Sequence, residues 1–197
     1  MTSRGMIFNE DDEDRIIAAQ IVSGQKELFR LLVKRHEQAV YGMGLSFFRN
    51  AEDASDFTQE VFLKTFRNLS RFEGRSRFST WLYKIAYNTA VNSVSRKKDY
   101  HSLAENEIMG DNDTPERVLL RGIARDAVLE AVAELPERFQ VCVDLFFFYD
   151  RSYQEIEMIT GYPVNTIKSH VFRAKKLLRE KLVDFAGCTG LSGGGCE

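Results

Sequence analysis

The sequence predicts an all-α protein made of two small helical domains joined by an acidic, flexible linker, and three observations carry that prediction. Gly and Pro are scarce in the body of the chain, apolar residues recur at helical spacing over most of its length, and that periodicity lapses in an acidic stretch near the middle. The 197 residues include 3 Pro and 13 Gly, and five of the Gly (187, 190, 193, 194 and 195) fall in the last eleven positions. A body so poor in turn formers favours long helices over many-turned β structure. The hydrophobic content of 44% suffices for one sizeable domain or two of three to four helices each.

The elements follow in order. The acidic run Glu10 to Asp14 leads into a first helix, where negative charge complements the helix dipole. A second helix is expected from about 25 to 48, with Leu28, Leu31, Leu32, Ala39, Val40 and Met43 at helical spacing. A third runs from about 51 to 69. Its stripe is Ala54, Phe57, Val61, Phe62, Phe66 and Leu69, with Asp53, Asp56 and Glu60 on the opposite side. Residues 70–78, with Gly74, form a loop, and a fourth helix spans about 79–96 through Trp81, Leu82, Ile85, Ala86 and Val94. This completes a first domain over 10–98.

Residues 99–115 lose periodicity and become polar and acidic, and Thr114-Pro115-Glu116 reads as the start of the next helix. The second domain, 116–185, is expected to hold four helices at about 116–133, 136–148, 153–159 and 163–185. Residues 186–197 are too rich in Gly to bury a core and form a flexible tail. No apolar run approaches the roughly 20 residues that span a bilayer. Met1-Thr2-Ser3-Arg4-Gly5 lacks the apolar stretch of a secretory signal. Cys142 lies in an apolar helix, and Cys188 and Cys196 in the tail suggest no disulfide framework. A soluble cytoplasmic protein is expected.

The net charge of −2 conceals two basic blocks. Between Gly74 and Lys98 stand Arg75, Arg77, Lys84, Arg96, Lys97 and Lys98 with no acid; between Val164 and Leu182, six cations face the single Glu180. A phosphate backbone senses that distribution rather than the total, so two separate nucleic-acid contacts are implied.

The second block lies in a helix-turn-helix pattern. Ser152 and Glu155 form a capping-box signature, Gly161 supplies the turn, and Pro163 suits the first turn of the next helix. On that helix Ile167, Val171, Ala174, Leu178 and Leu182 face inward. Asn165, Lys168, Ser169, Phe172, Arg173 and Lys176 occupy the opposite stripe, where cations and hydrogen-bonding groups suit the major groove. An apolar Phe172 amid those cations is out of place on a merely solvated face. The first block, from Phe72 through Arg75, Arg77, Phe78, Trp81, Tyr83, Lys84 and Tyr87 to Asn88, mixes rings, cations and polar groups as a single-stranded nucleic-acid surface does. Trp81 by itself reads more simply as a core aromatic.

Four stretches together resemble the extracytoplasmic-function subfamily of bacterial sigma factors. Residues 27–36 resemble its first conserved helix. Residues 51–66, with Asp56, Gln59 and Glu60, resemble its polymerase-binding helix, and 78–90 its promoter-melting helix. Residues 135–138, 152–156 and 163–169 resemble its C-terminal DNA-binding domain. The resemblance covers about 13–184 and implies a factor that binds core RNA polymerase, directs it to promoters and helps open the −10 region. It implies that Asp53, Asp56, Gln59 and Glu60 dock on the clamp helices of the polymerase's largest subunit. Phe72, Gly74, Arg75, Ser76 and Arg77, with Lys84 and Asn88, would serve the −10 element. Asn165, Thr166, Lys168, Ser169, Phe172, Arg173 and Lys176 would serve the −35 element as duplex. Lys168 stands where many relatives carry Arg, so an ammonium replaces a guanidinium fork. An anti-sigma protein, often membrane-bound, is the implied regulator.

The competing reading, a conventional helix-turn-helix regulator with an N-terminal sensing or dimerisation half, leaves the 72–98 block and the acidic face of the third helix without a purpose. An enzyme is not expected. His36, His101 and His170 are scattered, and neither a Gly-rich phosphate loop nor a carboxylate pair in a site context occurs. No cofactor, metal or small-molecule substrate is anticipated. His36 reads as a surface or half-buried residue, and His170 as the replacement of a cation beside the recognition face. Two tail thiols without a nearby His do not complete a zinc site, so the tail reads as flexible rather than as a switch.

Overall fold

The computed structural model describes residues 10–97 and 127–188, and every regular element among them is helical. The chain divides into two compact units, built mainly on these two segments. The linker expected at 99–115, the start of the helix expected at 116–133 and the tail from 189 onward lie outside the described residues.

In the first unit α1 spans Glu10–Val22 and α2 spans Phe29–Phe48; the element expected from 25 opens instead as a 3-10 turn, Lys26–Leu28. α2 ends at Arg49 in the left-handed conformation (φ 52°), its N–H donating to the Leu45 carbonyl. Asn50 turns extended, and its side-chain oxygen accepts from the Asp53 N–H, capping α3, Ala51–Asn68. Gly44 lets α2 and α3 approach: a Cβ there would lie 2.8 Å from Phe57 Cδ1 and 3.1 Å from Ala54 Cα. A 3-10 turn, Leu69–Arg71, and a loop lead to α4, Phe78–Lys97. Leu32, Val40 and Met43 of α2, Ala54, Phe57, Val61 and Phe62 of α3, and Phe78, Leu82, Ala86 and Ala90 of α4 form the buried core. The exception to the stripe expected on α3 is Phe66, 38% exposed, whose ring meets Phe29 edge-on at 5.0 Å.

Two sequence expectations fail beneath α1. The acids at 10–14 are part of the helix rather than a lead-in, and Asp14 is turned inside at 1% exposure. His36, expected at the surface or half-buried, is buried, with Nε2 2.7 Å from Asp14 Oδ2. Arg35 Nη1 donates to Asp14 Oδ1 at 2.5 Å, and its Nη2 reaches Glu13 at 2.9 Å. A buried carboxylate needs such partners, and the i, i+1 pair Arg35–His36 supplies both. Partial burial alone would lower the Arg35 pKa; the Asp14 and Glu13 carboxylates outweigh it and hold the guanidinium above its ordinary value.

The second unit comprises α5 (described over 127–133), α6 (Glu137–Val143), α7 (Tyr153–Thr160) and α8 (Val164–Cys188). Val132, Leu135, Phe139, Val143 and Ala174 cluster at its centre, with Val128, Leu177 and Leu178 packed around them. The helix expected over 136–148 stays α-helical only to Val143, then widens to a π-helical turn, Asp144–Phe148. Asp150 follows in the left-handed conformation (φ 49°). α8 continues through Gly187 to Cys188, three residues past its expected end.

Candidate nucleic-acid and polymerase interfaces

The helix-turn-helix forms as its signature requires. The Ser152 hydroxyl accepts from the Glu155 N–H at 3.3 Å, and the Glu155 carboxylate accepts from the Ser152 N–H at 3.0 Å, closing the capping box. Gly161 (φ 77°) ends α7, its N–H donating to the Glu157 carbonyl. Pro163 stands just before α8 rather than in its first turn, and its carbonyl accepts from Ile167 N–H at 3.0 Å. One contributor escaped sequence reasoning: Glu157 Oε1 accepts from the Val164 N–H at 3.2 Å. It thereby satisfies a free donor at the start of α8 and ties the two helices together across the turn.

α8 presents the expected two faces. Ile167, Val171 and Ala174 are buried, and Leu178 and Leu182 half-buried. Asn165, Lys168, Phe172, Arg173 and Lys176 are exposed, with Thr166 and Ser169 partly so; Phe172 is 72% exposed. The Lys168 ammonium lies 5.7 Å from the Tyr153 ring centre, and Tyr153 stacks on Phe146 at 4.8 Å and 12°. The Lys175 ammonium lies 5.0 Å from the Phe147 ring. A cation–aromatic surface therefore continues from α8 onto α7 and the π-helical turn. The missed signal was the run Phe146-Phe147-Phe148, which reads simply as core in sequence although Phe147 and Phe148 are about half exposed.

His170 does not stand with the cations. Its ring packs between Phe139 (5.1 Å) and Tyr162 (5.5 Å), with Nδ1 3.7 Å from Cys142 Sγ. Burial lowers its pKa, and Arg138 and Arg173 lower it further. Burial likewise pushes the Cys142 thiol up to about 12.

On α3, Asp56, Gln59 and Glu60 are exposed and Asp53 half-buried. Glu60 pairs with Lys64 one turn on, at 2.6 Å. Leu63, which the sequence reading passed over, is 56% exposed one turn beyond Gln59 and Glu60, so the acidic face carries an apolar residue within it.

In the loop before α4, Phe72 is half-buried. Its ring meets Phe78 edge-on at 5.5 Å and Trp81 at 5.3 Å, so it belongs to an aromatic cluster rather than standing free. Trp81, expected in the core, is only half-buried and shares a face of α4 with Lys84 and Asn88, both exposed. Arg75 pairs with Glu73 at 2.6 Å, Ser76 Oγ donates to the Arg77 carbonyl at 3.2 Å, and Arg77 Nε donates to Asp11 Oδ2 at 3.1 Å. Gly74 has φ 68°.

Comparison with known proteins places both units. Residues 32–100 match the family described as Sigma-70 region 2, and residues 125–178 match Sigma-70, region 4. The RNA polymerase sigma-H factor of Pseudomonas aeruginosa is 32% identical, the match covering 87% of this chain and 94% of that protein. The ECF RNA polymerase sigma-E factor of Haemophilus influenzae is 33% identical over 86% of this chain and 95% of its own length. Among solved structures, the sigma factor RpoE of Bartonella quintana, in complex with the anti-sigma factor NepR, aligns with a TM-score of 0.65 at 20% identity. That match covers 78% of this chain and 96% of the other, and shows a shared fold.

Proposed function

The chain belongs to the ECF sigma factors of RNA polymerase and directs promoter-specific transcription initiation; from that premise we propose how its surfaces divide the work. The acidic face of α3, with Asp56, Gln59 and Glu60 exposed and Asp53 half-buried, docks on the clamp helices of the polymerase's largest subunit. The loop residues Phe72, Gly74, Arg75, Ser76 and Arg77, with Lys84 and Asn88 of α4, capture unpaired bases of the −10 element. Asn165, Thr166, Lys168, Ser169, Phe172, Arg173 and Lys176 of α8 hold the −35 element as duplex. The observation that carries this reading is the order of the matches. Region 2 and region 4 fall on separate helical units, and each unit bears its own exposed set of cations, rings and polar groups.

Such a factor supplies binding energy rather than bond chemistry. Unstacking a base costs a few kcal/mol, offset by contacts to the extruded base and by the polymerase's hold on the open strands. Phosphate contacts from Arg173 and Lys176 fix register, whereas Lys168 and Asn165 reach base edges. Since the polymerase sets the spacing of the two DNA contacts, neither is strongly selective in the free protein. The domain limits 10–98 and 116–185 follow the same reading. So does a cytoplasmic site of action, in keeping with the absence, among the described residues, of a helix long and apolar enough to cross a membrane. An anti-sigma protein is the fitting regulator, as the NepR complex of the Bartonella protein suggests.

The test is charge reversal at Asp56 and Glu60. Under this reading Asp56→Lys/Glu60→Lys abolishes association with core polymerase and leaves duplex binding intact. Undiminished association would refute docking through this face of α3.

A further inference from the structure

Two side chains on α1 reach the loop proposed for the −10 element. The Arg15 guanidinium donates through Nη2 to the Gly74 carbonyl, and Asp11 Oδ2 accepts from Arg77 Nε at 3.1 Å. Asp11 and Arg15 are four residues apart, hence on one face of α1, and they grip the loop at two points three residues apart. Their opposite signs suit their partners, a carbonyl for the guanidinium and a guanidinium for the carboxylate. Gly74, the residue Arg15 holds, is where the loop turns through a left-handed φ of +68°. A Cβ there would lie 3.1 Å from Arg15 Nη2, so glycine permits both the turn and the grip. A cavity of about 420 Å³ opens beside this junction, lined in part by Arg15, Ala18, Leu69, Phe72 and Gly74. The match to Sigma-70 region 2 begins at residue 32, so α1 lies outside it.

We propose that Arg15 and Asp11 are positioning residues for −10 recognition: they set the loop 72–77 so that its side chains meet an unpaired base in register. The inference rests on the reading of that loop as the −10 contact. Such surface ties add little to folding stability, and the loop they hold turns at a glycine, whose backbone is free to adopt other conformations. A planar guanidinium fixes a carbonyl's direction better than an ammonium does.

The experiment uses the full-length protein with core polymerase. Run-off transcription is measured from a cognate promoter and from derivatives substituted singly across the −10 element, for wild type, Arg15→Ala, Arg15→Lys, Asp11→Asn and Arg77→Ala. Thermal unfolding and core association are measured in parallel. Arg15→Ala is expected to reduce discrimination between cognate and substituted −10 bases by about tenfold, as when one base contact is misaligned. Arg15→Lys recovers part of that loss, Asp11→Asn shows a smaller loss, and unfolding and core association stay at wild-type values. If Arg77→Ala loses discrimination while Arg15→Ala and Asp11→Asn keep it, positioning by α1 is overturned and the loop reading stands. If Arg77→Ala also keeps full discrimination, the loop reading falls and the inference with it. Should Arg15→Ala fail to fold, the comparison of Arg15→Lys with Asp11→Asn decides: unchanged discrimination in both overturns the proposal.

Discussion

Asp14→Ala offers a quantitative test of the buried polar knot under α1. The carboxylate is 1% exposed and accepts from Arg35 through Oδ1 at 2.5 Å, while Oδ2 lies 2.7 Å from His36 Nε2. Hydrogen bonds to charged groups contribute about 1.5–3 kcal/mol each. The Arg35 side chain is 29% exposed and water can replace part of what it loses, whereas the His36 side chain, at 11%, is left with a buried unpaired nitrogen. The expected destabilisation is therefore about 3 kcal/mol, the lower end of the range for breaking a buried pair. The chain has 1 Trp, Trp81, half-buried against Phe72 and Phe78, so its fluorescence follows the first unit alone. With a urea dependence of about 2 kcal/mol per molar, the midpoint should fall by about 1.5 M. His36→Ala and the double variant complete a cycle, and the double should cost at least about 0.5 kcal/mol less than the sum of the singles. A midpoint shift under about 0.3 M, or strict additivity, would refute the reasoning.

Three further outcomes are expected. Cys142, with its thiol pushed up to about 12 by burial, should resist alkylation at pH 8 until the second unit unfolds. Because its folded value exceeds the ordinary 9.0, the stability it contributes is complete below pH 9 and is lost as the pH rises from 9 towards 12. Cys142→Ala should remove that part of the alkaline slope in denaturation profiles. His170 has a folded pKa below the ordinary 6.5, so its contribution is present above 6.5 and is lost as the pH falls below that value. Its NMR titration should shift upward in Arg173→Ala, and a midpoint at or above 6.5 in the wild type would contradict the burial described. Phe172→Ala and Lys168→Ala, both at exposed positions of α8, should leave thermal unfolding unchanged yet weaken −35-dependent transcription. Because Lys168 reaches a base edge in this reading, its loss should relax selectivity at one position by about 1–3 kcal/mol; a uniform drop in affinity with a salt slope lower by about one would contradict that role.

The two-faced helices were the part legible in sequence. α8 and α3 declare themselves through strict apolar spacing, and the Ser152–Glu155 box and Gly161 mark the helix-turn-helix because local capping chemistry has a short-range signature. What escaped depends on partners distant along the chain. Asp14 looks like one more surface acid until His36, 22 residues on, supplies its partner, and nothing near Arg15 announces Gly74, 59 residues away. His170 occupies a position on a basic helix where a cation would be unremarkable; only Phe139 and Tyr162 reveal that it faces inward. The π-helical turn at Asp144–Phe148 was hidden by a run of Phe that fits any buried helix. The loop 72–77 was legible in composition but not in posture, because Phe72 is engaged with Phe78 and Trp81.

The most direct measurement is run-off transcription by core RNA polymerase from a panel of genomic promoters, with and without the purified full-length protein. The account predicts transcripts from discrete start sites that are absent with core alone and lost with Asp56→Lys/Glu60→Lys. Failure of the protein to bind core, with no new start sites, would contradict it.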